Sequence, residues 1–155
     1  LTGLYNRRFM EEILERELSR AQRQNTSLCV AMLDIKNFKC INDTFGHAAG
    51  DALLAELGRI LLENMRKSDI ACCYGGDEFV LILPDSTLDN ANHRVQQILE
   101  LVQELRVWHD DQQISSPIMS AGVAEAHKHI FNVREIPKAA DEALYAAKNA
   151  ERDLV

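Results

Sequence analysis

The stretch "DIACCYGGDEFVLILP", residues 69–84, limits the folds open to this chain more than any other. Its two apolar runs are each too short for a helix and flank a tight polar segment, "GGDE", so they read as a β-hairpin whose second strand Pro84 ends. An earlier run, "SLCVAMLDI", is apolar until its closing charge, the pattern of a strand buried on both faces of a sheet. Such a sheet needs helices on it. Asn6 can cap a helix continuing through "EEILERELSRAQRQ". "ALLAELGRILLENMRK" is clearly amphipathic, and "LDNANHRVQQILELVQELRVW" predicts a long helix, followed by a polar loop, "HDDQQISS". "PIMSAGVAE" reads as a further strand, and "VREIPKAADEALYAAKNAER" as a last helix with Pro137 near its first turn. The order of elements implies an α+β domain, one mixed sheet covered by helices.

At 155 residues the chain is expected to form one domain, residues 1–155, large enough to bury a core without staples. No apolar run approaches the roughly 18 residues that span a bilayer, and no signal peptide is recognisable. A cytoplasmic location without direct membrane contact is therefore expected, either free or as the cytoplasmic output domain of a membrane-bound sensor. The formal charge of −7, from 17 basic and 24 acidic residues, repels nucleic-acid backbone and excludes long polyanions as partners. A small anion can still bind where metal ions and local cations overturn that sign. The four cysteines, Cys29, Cys40, Cys72 and Cys73, lack CxxC spacing, and three lie in apolar runs, as buried thiols of a reducing compartment do.

The acids carry the chemistry. Asp34 closes one buried strand, and Asp77 and Glu78 occupy the hairpin turn between two others. If those strands are neighbours, three carboxylates meet at the sheet edge, where they must raise one another's pKa or take up a cation. Oxygen ligands without His or Cys favour a hard ion, Mg²⁺ or Mn²⁺. Gly75 and Gly76 permit unusual backbone angles and let a phosphate approach the turn. From spacing alone, a metal-phosphate site and a solvated hairpin tip both remain open.

"YGGDEF" resembles the signature of the GGDEF family, the diguanylate cyclases. The resemblance extends in order through "LTGLYNRR", "LDIKNFKCINDTFGHAAGD", "YGGDEF" and "ADEALYAAKNAER". It implies a central, mainly antiparallel five-stranded sheet wrapped by helices, with a ferredoxin-like core similar to the polymerase palm and class III nucleotide cyclases. It also implies two GTP-loaded domains facing each other as a homodimer, each 3′-hydroxyl attacking the opposite α-phosphate, with cyclic di-GMP and two pyrophosphates as products.

By the same resemblance, Asp34, the carbonyl of Ile35, Asp77 and Glu78 hold two divalent ions, and Asp77 matches the position assigned as proton acceptor. Asn42 and Asp51 match the guanine-reading pair, with His47 a further substrate contact. Lys39 matches a basic position near the phosphates, and Lys148 and Arg152, spaced i, i+4, match a clamp on the terminal phosphates. Arg66 and Asp69 match an Arg-x-x-Asp inhibitory site for cyclic di-GMP. There a guanidinium fork can meet guanine or phosphate, and the Asp can read a guanine edge.

Some positions depart from the family pattern. Cys73 stands where Arg is usual, Lys36 and Asn37 replace commoner acidic and aromatic residues, and "KNAERD" lacks the Gly and Asn of "KxxGRN". No metal ligand or guanine reader is lost. The chain reads as an excised output domain without its sensor and dimerising segments. An alternative is a catalytically weak domain that binds GTP or cyclic di-GMP as a regulatory module.

Overall fold

In the computed structural model, residues 2–115 and 117–126 are described, together with Lys138, Asp141, Glu142 and Tyr145 of the last expected helix, which are helical. The centre is β1, Leu28–Ile35, in which every residue is buried. Its alternation divides the core. Leu28, Val30 and Met32 pack with Met10, Leu14, Leu18 and Ala21 of α1, Arg7–Gln24. Cys29, Ala31, Leu33 and Ile35 pack on the opposite face, against α3, His47–Glu63, and α4, Leu88–Gln103. A strand covered on both sides has no face for polar residues, which explains the unbroken apolar run.

Local chemistry sets the helix ends. The Asn6 side chain accepts from the Phe9 N–H at 2.9 Å and starts α1, and Asn25, with φ 54°, ends it in the left-handed conformation that Asn tolerates. Thr87 caps α4 by accepting from the Asn90 N–H at 3.3 Å. A short α2, Phe38–Phe45, connects β1 to α3, in a segment for which the sequence reading assigned no helix. Asn37, just before α2, has φ 57°, a conformation that suits Asn better than most side chains.

Four antiparallel strands form the central sheet among the described residues, in the order β2 (Ile70–Cys73), β3 (Glu78–Pro84), β1, β6 (Met119–Ala126). The expected hairpin is present, and its second strand, β3, is the neighbour of β1. The outer edge of β2 is covered by the amino-terminal segment: the Tyr5 N–H donates to the Ala71 carbonyl at 3.3 Å and the Cys73 N–H to the Tyr5 carbonyl at 2.8 Å. This removes one unpaired edge.

Two expectations are corrected. The helix expected to run through Trp108 stops at Gln103, and the expected loop "HDDQQISS" is half of a separate hairpin, β4 (Arg106–His109) paired with β5 (Gln112–Ser115). Asp110 and Asp111 both take positive φ, 48° and 63°, as two-residue hairpin turns require. Val107 and Ile114 stand opposite each other in this hairpin and enter the core. The second correction is the five-stranded expectation, since the described central sheet has four strands and the extra pair lies apart from it.

Cys29 and Cys72 are buried, as expected of core thiols, while Cys40 is exposed. Burial first, then the charge of Glu125, pushes the Cys29 thiol up to about 12 from an ordinary 9.0. Cys72 is likewise raised to about 12, by burial and then by Cys73. The unfolded chain thus loses these protons near pH 9 while the folded chain keeps them, so stability present below pH 9 falls as pH rises toward about 12. Urea midpoints measured across that window should fall, and Cys29→Ala with Cys72→Ala should flatten the decline. At pH 8 an aromatic disulfide reagent should modify Cys40 rapidly but reach Cys29 and Cys72 only after unfolding.

Candidate functional site

The register of β1 on β3 brings Asp34 directly opposite Glu78. By strand alternation both lie on the sheet face that carries Val30 and Val80, the side covered by α1. One residue on, the Ile35 N–H donates to the Asp77 carbonyl at 3.1 Å, tying the hairpin turn to the end of β1. The turn is also closed on itself, since the Tyr74 and Gly75 N–H groups both donate to the Glu78 carbonyl, at 2.9 and 3.3 Å. Asp34 is 9% exposed, and Asp77 and Glu78 are half-buried. The acids expected to converge therefore belong to one sheet end whose backbone is pinned from two directions.

The turn glycines work differently from the expectation. Neither Gly75 nor Gly76 adopts positive φ, so unusual backbone angles are not their contribution. A Cβ on Gly76 would meet nothing within 4 Å, and one on Gly75 would lie 3.1 Å from Glu78 Oε2. Their missing side chains keep the surface beside the acids clear.

Among the described residues, no three His, Cys, Asp or Glu side chains are grouped to hold a metal ion by themselves. Mg²⁺ is ordinarily held by one or two carboxylates plus substrate phosphates and waters, so a site completed by a nucleotide needs no such group. The donors at hand, a buried Asp34 carboxylate opposite Glu78 and the neighbouring Ile35 and Asp77, are all oxygen, and they suit a hard divalent ion.

A second cluster lies on α2 and α3, which are joined only by Gly46. Its φ of 92° turns one helix into the next. Asn42 and Gly50 meet across this turn: a Cβ at position 50 would fall 1.9 Å from Asn42 Oδ1 and 3.2 Å from Phe38 Cζ. Gly50 thus makes the space that the Asn42 amide fills. Asn42 Oδ1 is buried and accepts no hydrogen bond among the described residues, which is costly unless a ligand donor satisfies it. His47 and Asp51, one helical turn apart at the start of α3, are exposed, as is Lys39 on the first turn of α2. Lys148 and Arg152 lie outside the described residues.

Arg66 and Asp69 form a third cluster, at the turn before β2. Asp69 Oδ2 accepts from the Arg66 N–H at 2.8 Å and from Arg66 Nε at 3.5 Å. Arg66 Nη2 donates to Ser86 Oγ at 2.8 Å and to the Pro84 carbonyl at 3.3 Å. Arg94 of α4 also donates to Asp69 Oδ2. Sequence reasoning missed Gly50 and Arg94. Gly50 lay just before the predicted amphipathic helix, in a stretch rich in Asn, Asp and Gly where a glycine reads as a turn residue, so nothing there signalled close helix packing. Arg94 was visible as a charge three residues after Ala91 on the inward side of α4.

Fold and site define an α+β domain with an acidic turn pinned to one end of an antiparallel sheet and a buried, unsatisfied amide on the adjoining helix pair. The profile described as "Diguanylate cyclase, GGDEF domain" matches residues 1–154. The chain is 36% identical over 155 residues to diguanylate cyclase DosC of Escherichia coli, covering 100% of this chain and 34% of that protein. It superposes with a TM-score of 0.92, at 28% identity, on the GGDEF domain of DgcB from Caulobacter crescentus in complex with c-di-GMP, covering 97% of this chain and 86% of that one. It also superposes with a TM-score of 0.91, at 36% identity, on Pseudomonas aeruginosa diguanylate cyclase SiaD in complex with its activator SiaC, covering 96% and 56%. The chain belongs to the GGDEF family. It spans 34% to 41% of the length of the curated relatives it matches. No helix among the described residues is long and apolar enough to cross a membrane.

Gly50→Ala tests the packing of the two site helices. Alanine favours the helix by about 1 kcal/mol, yet its Cβ must displace the Asn42 amide. Thermal unfolding should change little, because the gain in helix propensity offsets the cost of moving the Asn42 amide.

Proposed function

We propose that this domain is a diguanylate cyclase, condensing two GTP into cyclic di-GMP and two pyrophosphates across a homodimer. The observation that carries this reading is the β1–β3 register, Asp34 opposite Glu78 with the Asp77 carbonyl on the Ile35 N–H, together with a buried Asn42 oxygen on the helix pair after β1 that lacks a donor among the described residues.

In this reading each domain binds one GTP. Asn42 and Asp51 hold the guanine: the carboxylate accepts from N1–H and the 2-amino group, whereas adenine offers an acceptor at N1 and nothing at C2. Lys39 faces the phosphates from α2, His47 adds a substrate contact, and Lys148 and Arg152 clamp the terminal phosphates. Asp34, Glu78, Asp77 and the Ile35 carbonyl would hold Mg²⁺ or Mn²⁺, two ions per site. Bound there, the ions neutralise triphosphate charge, polarise the α-phosphorus and acidify the attacking hydroxyl.

The 3′-oxygen of one GTP forms a bond to the α-phosphorus of the other as the α–β phosphoanhydride breaks and pyrophosphate leaves. Asp77 takes the hydroxyl proton. Repetition in the opposite sense closes the ring. Arg66 and Asp69 would bind the product and restrain turnover.

Concentrated protein, and a version fused to a parallel coiled coil to enforce dimerisation, should convert GTP with Mg²⁺ into cyclic di-GMP detectable by mass spectrometry. Asp77→Asn should lower the rate by about 10³-fold. GTP should be preferred over ATP by about 10⁴-fold, a preference that Asp51→Ala removes. Tight GTP binding with no product from the fused dimer would reject catalysis in favour of a regulatory binding module.

A further inference from the structure

The Arg66–Asp69 turn carries a third residue that changes what it can recognise. To read guanine, a carboxylate must offer its oxygens to N1–H and the 2-amino group. The Asp69 side chain is 0% exposed, while that of Arg66 is 51% exposed and that of Arg94 21%. Oδ2 of Asp69 is occupied by the Arg66 backbone, the Arg66 guanidinium and Arg94, and Oδ1 is buried beneath them. Arg66, anchored to Ser86 and Pro84 through one nitrogen, keeps half its surface in solvent. The motif is therefore divided: its cation is presented and its acid is withheld.

Resting on the reading of Arg66 and Asp69 as a cyclic di-GMP inhibitory site, we propose that Arg94 is a built-in competitor for Asp69. Its guanidinium takes the carboxylate that a guanine edge would otherwise occupy, so product is held weakly through Arg66 alone until Arg94 swings away. The location of Arg94 supports this. It projects from α4 between the positions of Ala91 and Val95, both buried, so its charge is directed along the protein interior toward Asp69. The closed pair is also incompletely satisfied, since Asp69 Oδ1 and Arg94 Nη1 are both buried without hydrogen-bond partners among the described residues. Unsatisfied groups in a buried ion pair reduce its net stability, which leaves it open to displacement by a ligand that brings its own donors. Guanine brings two such donors on one edge.

The test is calorimetric titration of cyclic di-GMP into the 155-residue chain with the GTP site filled by a non-hydrolysable GTP analogue. Arg94→Met keeps an apolar stem and removes the guanidinium. It should tighten cyclic di-GMP binding by about tenfold, the worth of a charged hydrogen bond gained. Arg94→Lys should behave like the parent. Asp69→Asn combined with Arg94→Met should erase the gain, because the carboxylate that Arg94→Met releases is then missing. If the gain of Arg94→Met survives in the double variant with Asp69→Asn, the freed carboxylate is not what holds the ligand and the competitor idea fails. An unchanged or lower affinity in folded Arg94→Met overturns it too, with the inhibitory site itself intact. If neither parent nor Arg94→Met binds cyclic di-GMP, the inhibitory-site reading fails, and the competitor role with it.

Discussion

The pairing of β1 with β3 is the constraint on which the rest of the structure depends. Seven residues of β1, Leu28 to Asp34, align with Pro84 back to Glu78, and a slip of one residue would turn every side chain of one strand to the other face. Such a slip is opposed on both sides of the sheet, because the odd residues of β1 pack under α3 and α4 and the even ones under α1. The register that satisfies the core is the same one that sets Asp34 against Glu78. Burial of apolar surface therefore supplies the positional accuracy of the acids, and the acids need contribute nothing to stability for the site to form.

The α2 side is anchored more lightly. No residue of α2 is fully buried, and Ile41, Phe45 and Phe38 only lean on the core. Its position relies on the Gly46 turn and on the contact between Asn42 and Gly50. Segments with few buried contacts open at lower free energy than the core. If α2 holds the base as proposed, it can adjust as a nucleotide enters, while the acidic end, held by the sheet ladder, stays fixed.

The sheet, the hairpin and the site acids were legible in the sequence because each rests on a long apolar run closed by charge or glycine. The β4–β5 hairpin was not. Its strands are four residues each, Trp108 is exposed in the middle of one, and its turn is Asp110–Asp111 with no glycine to mark it, so the preceding helical pattern appeared to continue. The Gly75–Gly76 pair was readable as a turn but not in its mechanics, since the same two letters serve backbone angle or open space, and only coordinates separate them. Asn42 and Asp51 were legible only by resemblance; the unsatisfied Asn42 oxygen and its close contact with Gly50 arise from the packing of α2 on α3, which no local pattern encodes. Arg94 is the same kind of omission, a charge whose partner lies 25 residues away.

Cys73 is the departure from the family pattern that lies on the acidic hairpin itself, and its surroundings limit what it can alter. Its N–H donates to the Tyr5 carbonyl, and its sulfur lies 3.1 Å from Thr2 Oγ1. The amino-terminal segment is thus attached to β2 through main-chain bonds that any residue at position 73 can make, supplemented by one contact between neutral groups. A guanidinium there would add charge to the attachment without being needed to form it. The substitution therefore bears on how strongly the amino-terminal segment is coupled to the sheet edge. The acids, fixed through β1 and β3, hold their register independently of it.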